Sequence, residues 1–239
     1  MPIDYTEAAA TLSSTLHLEV PPIAITFSEE TPAGVSAFDA PMPEPTPDGR
    51  TGRVPAGCVF WMKATDRTFA TAPEDHGNCS VGSLTHGLVS LEEVAGRSDV
   101  QALVDSGWVT EDVLPDIPTV SRRPGCITYG PLSATVVDPD VVLVRVSPKQ
   151  LMLISDAWPG LQIGGKPQCH IVALAKEHGQ VAASVGCMLS RTRTGMSPDE
   201  MTCAIPGARL ADFLERLKPA ADADASVAAY AAEDSRRFR

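Results

Sequence analysis

VVLVRVSPKQLMLISDA, residues 141–157, is the stretch that decides the fold. Val141 to Val146 is dominated by residues branched at Cβ, which fit the pleated surface of a sheet, so the run reads as a strand. Ser147 is a helix N-cap, Pro148 suits the first helical position, and Lys149 to Ala157 completes a helix. A strand that runs straight into a helix excludes an all-helical bundle. It predicts an α/β (α+β) chain, with a mixed sheet and flanking helices.

The pattern spreads outward from this unit. Downstream, Gly160 to Pro167 is a glycine-rich loop, Val181 to Val185 a strand, and Met201 to Ile205 another strand leading into the amphipathic segment ARLADFLERL. An Ala-rich helix from Ala220 to Arg239 closes the chain. Upstream, Cys126 opens a strand into Tyr129-Gly130-Pro131. Tyr5 to Leu16 has helical spacing, and Pro21 to Phe27 is a strand. Thr68 begins a further strand, PEDHGNCSVG from Pro73 is a turn entering a helix, and Ser90 and Ser98 read as N-caps of two short helices. Gly57 to Ala64 and Cys169 to Lys176 are short apolar runs in which period alone does not separate helix from strand. Pro41 to Pro55 is rich in Pro and Gly without an apolar period, which predicts a surface loop, mobile or acting as a lid over a site.

Two segments carry cysteines at matched positions. Cys58 and Cys79 bracket the first and Cys169 and Cys187 the second, with separations of 21 and 18 residues and offsets of 111 and 108 between the pairs. Such matching suggests an internal pseudo-repeat of two similar half-domains, residues 1–120 and 121–239, in one compact unit. Four thiols meeting near a pseudo-two-fold axis would make a metal or cluster site, since thiolates are soft ligands. The absence of a close Cys-x-x-Cys pair speaks against a zinc knuckle and for a cluster held between subdomains. The plainer alternative is that all four are small buried hydrophobes.

Neighbouring groups offer support for thiolates. Arg191 and Lys166 could offset their charge, and Asn78, Gly82 and Gly186 could supply N–H donors to sulfur. His76 and His170 lie beside the cysteine segments as candidate ligands or proton carriers. For a histidine in a turn such as Asp75-His76-Gly77, a structural hydrogen bond is the commoner role. Cys203, in an apolar strand, and Cys126 read as structural. Phosphate-loop, dinucleotide-binding, serine-hydrolase and His-Glu-x-x-His patterns are absent.

The net charge of −11 over 239 residues argues against nucleic-acid binding. The amino terminus lacks a secretory pattern and no stretch approaches a membrane span, so the expectation is a cytoplasmic protein with mostly reduced thiols.

FWMKA after Cys58, TAPEDHGNC, TYGPL, PDVVLVRVSPKQLM, KPQC, SVGCMLSR and EMTCAIPG, in that order, resemble the family called domain of unknown function 169. The resemblance spans nearly the whole chain. It implies family cysteines at the positions of Cys58, Cys79, Cys169 and Cys187, with Cys126 and Cys203 outside the pattern. Met188-Leu189-Ser190-Arg191 departs from an expected Gly-Asn-Arg ending but keeps the arginine.

Three functions compete. The first is an iron–sulfur protein with a 4Fe-4S cluster on Cys58, Cys79, Cys169 and Cys187, supported by Asn78 and Arg191, acting by redox or lyase chemistry on a small molecule or with a redox partner. The second is a zinc-stabilised or metal-free module that binds a small molecule under the 41–55 loop without catalysis. The third is a nucleophilic enzyme using Cys79 or Cys187 with His76. The sequence leaves a homodimer open.

Overall fold

The computed structural model describes residues 3–164 and 167–238. Seven strands form one open sheet: β1 (Ile23–Ser28), β2 (Phe69–Thr71), β3 (Cys126–Pro131), β4 (Val141–Val146), β5 (Gln162–Gly164), β6 (Ala182–Ser184) and β7 (Met201–Pro206). Their spatial order is β2-β3-β1-β4-β7-β6-β5. Only β5 and β6 run parallel, so the sheet is mixed. The central pair, β1 and β4, joins the two parts of the chain through Ile23–Leu143, Ala24–Val142 and Ile25–Val141.

The deciding stretch folds as its chemistry requires. β4 is buried on both faces, and its alternation sends Val142, Val144 and Val146 to one core and Val141 and Leu143 to the other. The first core is covered by α1 (Tyr5–Leu16), α6 (Pro148–Ala157) and α9 (Leu210–Ser235), packed through Leu12, Leu16, Ile154, Trp158 and Phe213. Ser147 caps α6 as half of a capping box, its Oγ accepting from Gln150 N while Gln150 Oε1 accepts from Ser147 N. The second core is covered by α2 (Cys58–Lys63) and α7 (His170–His178), with Phe60, Trp61, Tyr129, Ile171 and Val172 almost fully enclosed. Both ambiguous apolar runs are therefore helices.

Outside this second layer lie α3 (Ser80–Thr85), α4 (Leu91–Ala95), α5 (Ser98–Asp105) and α8 (Met188–Thr194). Val81, Leu84, Val94 and Val100 form a small core of their own. Ser90 caps α4 through a capping box with Glu93. Ser98 is not a cap: it is the first helical residue of α5, and its N–H is satisfied by Asp48 from the Pro-rich loop at 2.8 Å. The two carboxy-terminal helices predicted around Pro219 are one helix, at the cost of the backbone bond that a proline nitrogen cannot give. Among the described residues, no helix is long and apolar enough to cross a membrane.

Candidate functional site

Each of the four matched cysteines stands at the amino-terminal end of a helix. Cys58 is the first residue of α2, and Cys79, Cys169 and Cys187 are the N-cap residues of α3, α7 and α8. In both parts of the chain a helix and a short strand separate the two cysteines: α2 and β2 in one, with a short 3-10 helix, Pro73–His76, after them, and α7 and β6 in the other. All four side chains line one cavity on the outer side of the second core. Its walls are almost wholly carbon and sulfur, and it offers about 40 Å³ to the centres of water-sized molecules. Cys58 and Cys169 are buried, whereas Cys79 and Cys187 are partly exposed.

The roof comes from an unexpected segment. Val100 and Leu103 of α5, with Trp108, Val109, Leu114 and Ile117 beyond it, close over the thiols. The 41–55 loop, predicted as a lid, lies to one side and is fastened down. Asn78 Nδ2 donates to the carbonyls of Gly52 and Val54 at 2.7 and 3.3 Å, and Arg53 pairs with Asp75 at 2.7 Å.

Burial governs the thiols. It pushes Cys58 up to about 12 and Cys79 to about 11, and holds Cys169 well above its ordinary value of 9. The sulfurs also raise one another, since each thiolate repels its neighbours across the cavity. Polar groups oppose this. Gln168 Nε2 donates to Cys58 Sγ at 3.1 Å and to Ser190 Oγ at 2.9 Å, the Gly82 backbone bonds to Cys79, and the Thr85 hydroxyl bonds to Cys169. At Gly82 a side-chain carbon would lie 3.2 Å from Cys79 Sγ, so the missing side chain leaves room for the sulfur.

The remaining residues singled out in the sequence take other places. Arg191 does not line the cavity; its guanidinium binds the carbonyls of Val185, Glu200 and Ser197. It packs under Gly186, whose φ of +119° and closeness to Arg191 exclude a side chain. Arg191 thus shapes the turn that presents Cys187, while Arg193 is the cation whose field reaches Cys79. The Asn78 amide is spent on the loop carbonyls, not on sulfur. Lys166 lies outside the described residues. His170 bonds the Pro167 carbonyl through Nδ1, and His76 Nε2 meets Thr71 Oγ1 at 2.9 Å in the aromatic core. Cys126 contacts Ser28 Oγ, and Cys203 is enclosed in the first core. Among the described residues, no three His, Cys, Asp or Glu side chains crowd one point closely enough to hold a single metal ion.

Sequence reasoning overlooked Gln168, Ser190, Thr85 and above all His86. Cys79 and His86 are seven residues apart and flank α3 as its N-cap and C-cap. That spacing was the available signal. His86 lines the cavity at 2% exposure, and Nδ1 lies 2.9 Å from the Gly82 carbonyl.

The buried histidines give the chain an acid limit. Burial lowers His86 to about 4 and His76 well below the usual 6.5. The unfolded chain therefore takes up these protons as pH falls through 6.5 while the folded chain does not. Their stabilising contribution is complete above that pH and is lost as pH falls towards 4. With two such protons, stability should fall by at most about 3 kcal/mol per pH unit in this window. Urea unfolding at pH 7, 6 and 5 checks this, and a flat profile would contradict it.

Among protein families, the model of domain of unknown function 169, described as "Uncharacterised ArCR", matches residues 11–216. No curated protein and no solved structure matches the chain.

Proposed function

We propose a function from the premise that this chain belongs to the family of domain of unknown function 169 and from the cavity its cysteines share: it is a cytoplasmic iron–sulfur protein that holds a 4Fe-4S cluster among Cys58, Cys79, Cys169 and Cys187. The observation that carries this reading is the convergence of four dispersed cysteines, from both parts of the chain, on one apolar cavity. A cluster whose irons each take one sulfur needs four thiols around one space, and the four cysteines line the same cavity. The like order of helix, strand and helix around each cysteine pair also supports reading the halves as a pseudo-repeat.

The surrounding groups fit this role. Gln168, Ser190 and the Gly82 N–H are donors placed at sulfur, where they would stabilise bound thiolates and tune the centre's potential. The roof of α5 and the segment after it would exclude water. When bound, such a cluster supplies one-electron chemistry or, at an open iron, a Lewis acid for lyase chemistry on a small molecule. With thiols held this firmly in the neutral form, loading must release protons and therefore strengthens as pH rises.

The test is anaerobic purification, a visible spectrum, and iron, sulfide and zinc counted per chain. Brown protein with matched iron and sulfide is expected. Colourless protein that takes up no iron on reconstitution would return the cysteines to the core.

A further inference from the structure

We propose that the outer face of α9 is the interface through which two copies of this chain pair, their helices antiparallel about a two-fold axis. Neither the thiol cavity nor a metal in it enters this pairing.

Leu210, Phe213 and Leu217 hold α9 to the body, and no residue of the helix after Leu217 is buried. A helix of that length without a surface to pack on is marginal in water even when rich in alanine. Large apolar side chains are nevertheless placed on it: Val227 is 65% exposed and Tyr230 71%. Beside them Met152 of α6, 48% exposed, shares an open groove with Pro159, Ala220, Ala223 and Val227. The groove holds about 640 Å³, which is room for an aromatic side chain. The family match covers residues 11–216, so most of this surface lies outside it.

The order of residues along this face selects a second copy as the occupant. Arg216, Ala220, Ala223, Val227, Tyr230 and Asp234 follow one another at spacings of 4, 3, 4, 3 and 4. That alternation keeps them on one stripe and suits two helices crossing at a shallow angle. Turned end for end about Ala225, the stripe becomes its own complement. Arg216 then meets the partner's Asp234, Ala220 the partner's Tyr230, and Ala223 the partner's Val227, with the same three pairs repeated by the two-fold axis. Each pair joins a cation to an anion or a small side chain to a large one, and the partner's Tyr230 enters the groove beside Met152. Parallel pairing would instead set arginine on arginine, aspartate on aspartate and tyrosine on tyrosine. Pairs within one chain do not stand in the way. Arg216 Nε bonds Asp212 at 2.7 Å and Asp234 Oδ1 accepts from Arg237 at 2.9 Å, both between exposed side chains, where such pairs contribute little. The Arg216 guanidinium also lies over the Trp158 ring at 4.8 Å, which fixes it at the head of the stripe.

The experiment is sedimentation velocity of the full chain over a range of concentrations, with circular dichroism to show that each variant is folded. Wild type is expected at twice the chain mass, dissociating on dilution. Asp234→Arg places two cations together and Arg216→Asp two anions, each twice in the dimer, so either should raise the dimer Kd by at least about tenfold. The double variant restores both pairs in reverse and should return to within about threefold of wild type. Tyr230→Ala should also weaken the dimer by about tenfold or more while keeping the helix, because alanine is the strongest helix former. Should Arg216→Asp fail to fold, having lost its place over Trp158, Asp234→Arg and Tyr230→Ala decide alone. A wild-type chain that stays monomeric at every concentration would overturn the proposal. So would a dimer whose Kd neither Asp234→Arg nor Tyr230→Ala changes, since its interface would lie elsewhere.

Discussion

Replacing Cys169 by serine is expected to abolish cluster binding, cutting iron per chain by at least tenfold while leaving the protein folded. The fold should survive because Cys169 is the N-cap of α7, where serine is a favoured residue, and because the change preserves size. Binding should fail because an alkoxide is a far poorer ligand for iron than a thiolate. The site is also buried, so no solvent molecule enters easily to take the sulfur's place. Cys58→Ser should behave alike, since its sulfur is equally enclosed and Gln168 and Ser190 are committed to it. The controls are Cys126→Ser and Cys203→Ala. Cys126 touches Ser28 on β1 and Cys203 packs in the first core, so both should keep full iron. The second should cost about 1 kcal/mol of stability, as the loss of a small buried group does. Iron content and far-ultraviolet circular dichroism, read together, decide the matter. A folded Cys169→Ser variant with undiminished iron would defeat the cluster assignment.

How much of this was legible depends on the range of the forces involved. β4 and α6 could be read because their signals are local: branched residues in a run, then Ser147, Pro148 and Gln150 within one turn. α1 was legible for the same reason, from the spacing of Ala8, Ala9, Leu12 and Leu16. Gly57 to Ala64 was not, because six apolar residues satisfy either period and the choice falls to tertiary packing against Phe69 and Tyr129. Ser98 failed as a cap because a carboxylate fifty residues upstream, on Asp48, reaches its N–H first. The site divides along the same line. Matched spacing picked out the four cysteines that share a cavity. The roof drawn from α5 and beyond, and the placing of Gln168 at Cys58, depend on contacts between segments that no local pattern encodes.

Asp99→Ala is expected to be the most damaging change outside the cysteines, lowering stability by about 3 kcal/mol and loosening the thiol cavity with it. Asp99 lies in the first turn of α5 at 6% exposure, and its carboxylate accepts from Ser80 N at 2.9 Å and Ser80 Oγ at 2.7 Å. Arg50 from the Pro-rich loop stands 3.5 Å from the same group and also binds the Asn78 carbonyl and Ser98 Oγ. One carboxylate therefore joins the start of α3, next to Cys79, to the helix that supplies Val100 and Leu103 to the cavity roof. Alanine would leave a buried N–H without an acceptor and remove an acidic partner from an arginine that is itself largely enclosed. Breaking a buried pair from one side typically costs about 3–5 kcal/mol, and Asp48, also paired with Arg50, should keep the loss near the lower figure. In a chain of this length that corresponds to a fall in Tm of roughly 6–12 °C. Asp99→Asn should recover little, because Ser80 N and Ser80 Oγ bond to different carboxylate oxygens and the amide replaces one of these with a donor. The functional effect follows from the geometry: with α5 released, water and chelators reach the thiols, so the bound cluster should yield its iron to an external chelator at least several times faster than in wild type. Arg50→Ala separates the two contributions. If the ion pair dominates, Arg50→Ala and the double variant should match Asp99→Ala. If the Ser80 bonds dominate, Arg50→Ala should be milder while Asp99→Ala still opens the site. A variant Asp99→Ala with Tm within about 2 °C of wild type and unchanged iron release would show that the apolar contacts of Val100 and Leu103 hold the roof without this carboxylate.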